Sequence, residues 1–191
     1  MRCKKGEAGY RRYKKQIEVL KGVIAFALVA ALMILGFVTT KQRLNLLTVV
    51  AALGAIPACR ILVELIVRFP YKSIPRETAE EVASKTPNIT VIYDLIFTSS
   101  DAVMPVECIA ISSHTLCGYV NHPKVNAVSA GEFIKKILGQ NGYRNVTVKL
   151  FDRYPAFLTR AEGMNSIAAV EGRDNQKQEQ RIADIILNVS M

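Results

Sequence analysis

The chain has no glycine-rich phosphate loop, no nucleophile elbow and no paired-acid motif. Phosphate binding through a P-loop or a dinucleotide fingerprint therefore has no support, and neither does serine-based acyl transfer. Ser99, Ser112 and Ser113 stand without a His and an Asp at a recognisable spacing. Cysteine is scarce, four residues in 191, and no Cys-x2-Cys pair occurs. That excludes a disulfide framework and the tight ligand pair of zinc modules. Cys3, Cys59, Cys108 and Cys117 are expected to be free thiols of a reducing compartment. Internal repeats and low-complexity tracts are missing too. Residues 70–191 have no excess charge of either sign, with thirteen Lys/Arg against thirteen Asp/Glu. Such a balance offers DNA or RNA no electrostatic footprint, so nucleic acid is not an expected partner.

The net charge of +9 lies wholly in residues 1–69, which hold twelve Lys/Arg and three Asp/Glu. There it flanks long apolar runs. Lys21 and Lys41 bracket an uncharged stretch, Gly22 to Thr40, with no polar stripe. At ~1.5 Å per residue it reaches ~28 Å, close to the ~30 Å of a bilayer core. The run exceeds the apolar region of a signal peptide, and a second run follows at once, so cleavage is not expected. The second run, Leu44 to Cys59, continues as an amphipathic stretch to Phe69. Residues 22–69 thus read as a transmembrane helical hairpin, with spans over 22–40 and about 45–62. Pro57 falls inside the second helix. Arg60, Glu64 and Arg68 share one helix face, with Arg60 placed to snorkel from the end of the span. Ala51, Gly54, Ala55 and Ala58 form a small-residue face suited to helix packing or to self-association.

The amino-terminal segment, 1–21, carries eight Lys/Arg. Arg11, Arg12, Lys14, Lys15 and Lys21, with Arg60 and Arg68 beyond the second span, are expected at the membrane interface beside anionic headgroups. The turn has only Lys41 and Arg43. By the positive-inside rule both termini belong in the cytoplasm and the turn outside, in a multi-pass protein of the cell membrane. The sequons at Asn88, Asn145 and Asn188 then read as chance.

A linker, 70–75, precedes a cytoplasmic α/β (α+β) domain over 76–191, with a mixed sheet of about four strands. Ser73 as cap, Pro75 and early acids predict a helix over 76–85. Strands are expected over 89–98, 106–112 and 116–120, the first two apolar on both faces. In the first, Val91, Tyr93, Leu95 and Phe97 form one alternating set. Ser129 and Glu132 form a capping box for the next helix, stopped by Asn141-Gly142. Residues 145–152 alternate as a strand. Beyond Arg153 the pattern weakens: 155–161 reads as a helical turn, 164–170 as strand or helix, and 173–189 as a closing helix.

Over residues 76–152 the order helix, strand, strand, strand, helix, strand resembles the core of restriction-endonuclease-like (PD-(D/E)xK) domains. That resemblance would place Asp94 and Glu107 on a divalent metal, with a Lys polarising the phosphate. Glu107-Cys108-Ile109 lacks that Lys, which leaves Lys149 on a later strand as the substitute. Cys108, His114, Cys117 and His122 are the one Cys/His group, a faint zinc set against the plainer reading of packed thiols and turn histidines. No cofactor is expected. The function that follows is a membrane-anchored, non-enzymatic binding or regulatory module with lipids, a membrane protein or a second copy as partner. The alternative is a membrane-bound metal-dependent hydrolase using Asp94, Glu107 and Lys149.

Overall fold

The structure is a computed structural model that describes residues 3–40, 46–99, 102–123, 125–171 and 176–191. The turn at 41–45 and the start of the closing helix at 172–175 lie outside the described residues. Among the described residues six helices and four strands occur, in two compact units. One unit joins residues 1–10 to 73–191, and the other comprises 11–72.

The second unit is a helical hairpin. α1 (Tyr10–Thr40) and α2 (Leu46–Arg68) are both long and apolar enough to cross a membrane. Gly22 lies against Ile61, and Val29 against Gly54. Seven residues up one helix thus match seven down the other, which makes the pair antiparallel. Ala51 and Ala58 are buried. The small-residue face thus packs in part inside the hairpin, where Gly54 lies against Val29 and lets the helices approach. α1 is continuous with the basic segment, which forms its first turns instead of a separate helix. There Arg11 is buried and its guanidinium donates to Lys72 O at 2.8 Å. Lys15 donates to Phe69 O and sits 3.5 Å from the centre of the Phe69 ring. Arg12, Lys21 and Arg60 are exposed, and Arg60 pairs with Glu64 at 3.6 Å. Arg68 closes α2; its side chain lies outside the described residues.

The other unit is a mixed α+β layer structure. α3 (Arg76–Lys85) leads into β1 (Thr90–Thr98), β2 (Val103–Ser112) and β3 (Thr115–Tyr119), an antiparallel meander. α4 (Ala127–Gln140) crosses over to β4 (Thr147–Phe151), which pairs parallel to β3. α5 (Tyr154–Glu171) and α6 (Gln176–Val189) complete it, and the sheet order is β1-β2-β3-β4. α4 and α6 cover one face over Ile109, Ile111, Leu116 and Leu150. α3 and α5 cover the other over Cys108, Ala110 and Cys117.

Two sequence expectations give way to specific contacts. α4 starts at Ala127, and its cap is Asn126, whose side chain accepts from Val128 N at 2.8 Å. Ser129 is already inside the helix, so the Ser129–Glu132 capping box does not form. α3 has Pro75 at its cap position with no side-chain bond, because Ser73 donates elsewhere. The weak pattern after Arg153 is one helix, α5. Its buried Phe157, Ala161 and Met164, with half-buried Ala168, have helical spacing, but exposed Ile167 and Val170 blur it.

The β1 edge of the sheet carries a further device. β1 is an edge strand, and the two ends of the chain cover it. Tyr93 N donates to Gly6 O at 2.8 Å, and Met191 N donates to Ile96 O at 2.8 Å. Unpaired edge groups are thereby satisfied inside the unit. Gly6 has φ of +93°, and a Cβ there would meet Leu187 at 3.0 Å, so glycine suits the approach.

Candidate functional site

Asp94 and Glu107 are the carboxylates on the strands, and the register makes them direct neighbours. Tyr93 pairs with Cys108 and Leu95 with Val106, which leaves Asp94 opposite Glu107. Asp94 has φ of +59°, in the left-handed region that side chains rarely adopt. The consequence runs along both strands. Val91 and Tyr93 face the α3–α5 side, yet Leu95 and Phe97 face the α4–α6 side. On β2, Met104 and Val106 face α4–α6, whereas Cys108 and Ala110 face α3–α5. The two strands exchange faces together at the Asp94–Glu107 pair, so register survives while alternation breaks. The single alternating set Val91, Tyr93, Leu95, Phe97 does not hold, because one left-handed residue turns the pleat over.

Asp94 is only 2% exposed. Its carboxylate accepts from Gly9 N at 2.9 Å, from Ile74 N at 2.9 Å and from the Ser73 hydroxyl. Gly9 precedes α1, and Ser73 and Ile74 follow α2. One carboxylate therefore fastens to β1 the segment that leads into the hairpin and the segment that leaves it. Ile74 is buried beside Ala79 and Val82, so residues 73–74 are packed chain rather than free linker. A buried carboxylate with three donors is well satisfied, and such bonds are the stronger kind.

Glu107 is 9% exposed. Its charge adds to burial in pushing the Cys108 thiol well above its ordinary value, with Cys117 and Asp94 contributing. Lys149 is elsewhere. It sits on β4, two strands from β2, in register with Cys117 and exposed, with its ammonium 5.3 Å from the Phe151 ring. The structure thus brings Asp94 and Glu107 together and leaves Lys149 apart.

The Cys/His group separates as well. Cys108 and Cys117 lie on adjacent strands in the α3–α5 core, and burial pushes the Cys117 thiol up to about 12. His114 precedes β3 and His122 follows it, at opposite ends of that strand. Among the described residues no three His, Cys, Asp or Glu gather as metal ligands. Beside the thiols lies an aromatic group of Tyr119, Tyr154 and Phe157, with Tyr119 and Tyr154 rings 5.5 Å apart. Tyr154 donates to Glu81 at 2.7 Å, which lowers the Glu81 carboxyl, while burial and that bond raise the phenol.

The sequence did not mark Gly9 or Glu179, and it marked Ser73 only as a helix cap. Glu179, on α6, is 5% exposed and accepts from Thr90 Oγ1 at 2.9 Å and from Ser113 N at 3.0 Å. The sequence signal for it was slight: an acid in the first turns of an amphipathic helix. No family model matches the chain, and no curated protein or solved structure does either.

Proposed function

We propose that the chain is a membrane-anchored, non-enzymatic binding or regulatory module. The hairpin spans the cell membrane, both ends lie in the cytoplasm, and the α/β unit is presented there to a protein or lipid partner. The two apolar helical windows are only 6% and 11% buried, which suits contact with lipid better than the core of a soluble fold. The Lys/Arg excess of residues 1–21 and the basic end of α2 favour an inward-facing, anionic leaflet at that end of the hairpin.

The observation that carries the non-enzymatic reading is the bonding of Asp94. A metal ligand needs lone pairs aimed at an open site, and this carboxylate is buried under three protein donors. Lys149, which a hydrolase would need beside it, stands on the far edge strand. The test is a titration of the full chain in detergent with Mg²⁺ and with Mn²⁺, followed by thermal unfolding, using Glu107→Gln as control. The module reading expects the same midpoint with and without metal. A saturable rise that disappears in Glu107→Gln would replace it with the metal-dependent hydrolase.

A further inference from the structure

A second site lies at the opposite end of β3 from His122. The β2–β3 turn, the loop from α4 to β4 and the start of α6 line an open cleft of about 440 Å³. Small-molecule sites commonly have about 300–1,000 Å³. His114, Tyr143, Arg144, Asn145 and Gln178 supply its polar lining, and among the described residues no carboxylate lines it.

Its parts are held in place from behind. Ser113, at the turn, has φ of +49°, a left-handed conformation unusual for serine. The buried Glu179 accepts from the Ser113 amide at 3.0 Å, and its other oxygen accepts from Thr90. The turn is thereby fixed to α6 and β1. His114 is oriented by both ring nitrogens. In the neutral ring, the Gln178 amide donates to Nε2 at 3.3 Å and Nδ1 donates to the Ser113 hydroxyl at 3.0 Å. Thr147 N donates to His114 O at 2.8 Å, which ties the turn to β4. The left-handed residue serves the two-residue hairpin turn between Ser112 and Thr115, and the buried Glu179 holds that turn still behind the lining residues. Against this frame Arg144 is exposed and has no ion-pair partner among the described residues.

We propose that this cleft binds a phosphate group. Arg144 supplies the positive charge and a planar fork of donors. The Asn145 amide and the second hydrogen of the Gln178 amide add neutral donors, and Tyr143 lends its hydroxyl or ring face to the rest of the ligand. The site is independent of the membrane reading and of Asp94. A free phosphate ester and the headgroup of an anionic lipid share this chemistry.

The probe is inorganic phosphate, titrated into the full chain in non-ionic detergent by calorimetry, with chloride at matched ionic strength as the blank. Saturable binding is expected. Arg144→Ala should weaken it by about tenfold or more, since a charge-assisted pair is lost. Arg144→Lys should recover part of it, and Lys136→Ala, on α4 outside the cleft, should leave it unchanged. Arg144 is exposed, so these variants keep the fold. Absence of saturable binding, or equal binding by wild type and Arg144→Ala, would overturn the proposal. Repeating the titration in nanodiscs with and without phosphatidic acid separates the sources. A lipid headgroup in the site weakens apparent phosphate binding, whereas a free ester as ligand leaves it unaltered.

Discussion

Asp94 combines a left-handed backbone, a break in the strand pleat and three donors drawn from both flanks of the hairpin. Replacing it separates these roles. Asn tolerates the same backbone and keeps an acceptor, but it loses the charge-assisted bonds. Asp94→Asn is expected to lower stability by about 1–3 kcal/mol in denaturant titration, and Asp94→Ala by more, since donors lose their acceptor and the backbone is strained. An unchanged midpoint for Asp94→Asn would remove the clasp from the account. The buried thiols give a pH signature. Burial raises Cys117 to about 12, and burial with the neighbouring Glu107 charge raises Cys108 well above its ordinary value. The folded unit keeps these protons where the unfolded chain loses them. Their contribution is therefore complete below the ordinary thiol value and is lost as pH rises toward the folded value. Thermal midpoints should hold up to about pH 8 and fall by about pH 10.5. In the same range Cys108 and Cys117 should resist iodoacetamide until the fold opens. Little of this was legible in advance. The sequence offered Asp94 as a metal ligand beside Glu107 and not as a clasp, because its donors Gly9, Ser73 and Ile74 come from segments remote in sequence.

The secondary structure was far more legible, since periodicity is local. α3 was expected at its observed bounds, and the four strands near theirs, because β-branched runs between turn residues leave few alternatives. The misses arose where side chains compete for one role. Ser129–Glu132 matches a capping box, yet Asn126, a residue type equally suited to the cap, starts α4 one turn earlier. Asn126→Ala is expected to cost about 1 kcal/mol of stability and Ser129→Ala close to nothing, and the reverse order in thermal denaturation would restore the capping box. Gly118 on β3 has a comparable requirement. A Cβ there would meet Leu150 at 2.6 Å and Cys108 O at 3.1 Å. Gly118→Ala should destabilise the unit by about 1–3 kcal/mol, read in the same melts, through overpacking against a backbone oxygen. α5 stayed ambiguous from sequence because Ile167 and Val170 are apolar on its exposed side.

For the whole molecule, hydropathy and charge bias carried the hairpin, while the joining of residues 3–10 to the domain had no local signature. That segment is short, polar and glycine-containing, and its anchorage comes from bonds to β1, Gly6 O to Tyr93 N and Gly9 N to Asp94. The small-residue face of α2 was visible in the sequence. In the structure the two helices pack with Gly22 against Ile61 and Gly54 against Val29. The proposed role rests on this hairpin crossing a bilayer twice. The most direct measurement is cysteine labelling with a membrane-impermeant maleimide in intact cells, on a chain whose four native cysteines are replaced by serine or alanine. With the hairpin spanning as proposed, Gln42→Cys labels in intact cells and Gln176→Cys labels only after the membrane is permeabilised. Labelling of Gln176→Cys in intact cells, with Gln42→Cys protected until permeabilisation, would contradict the account.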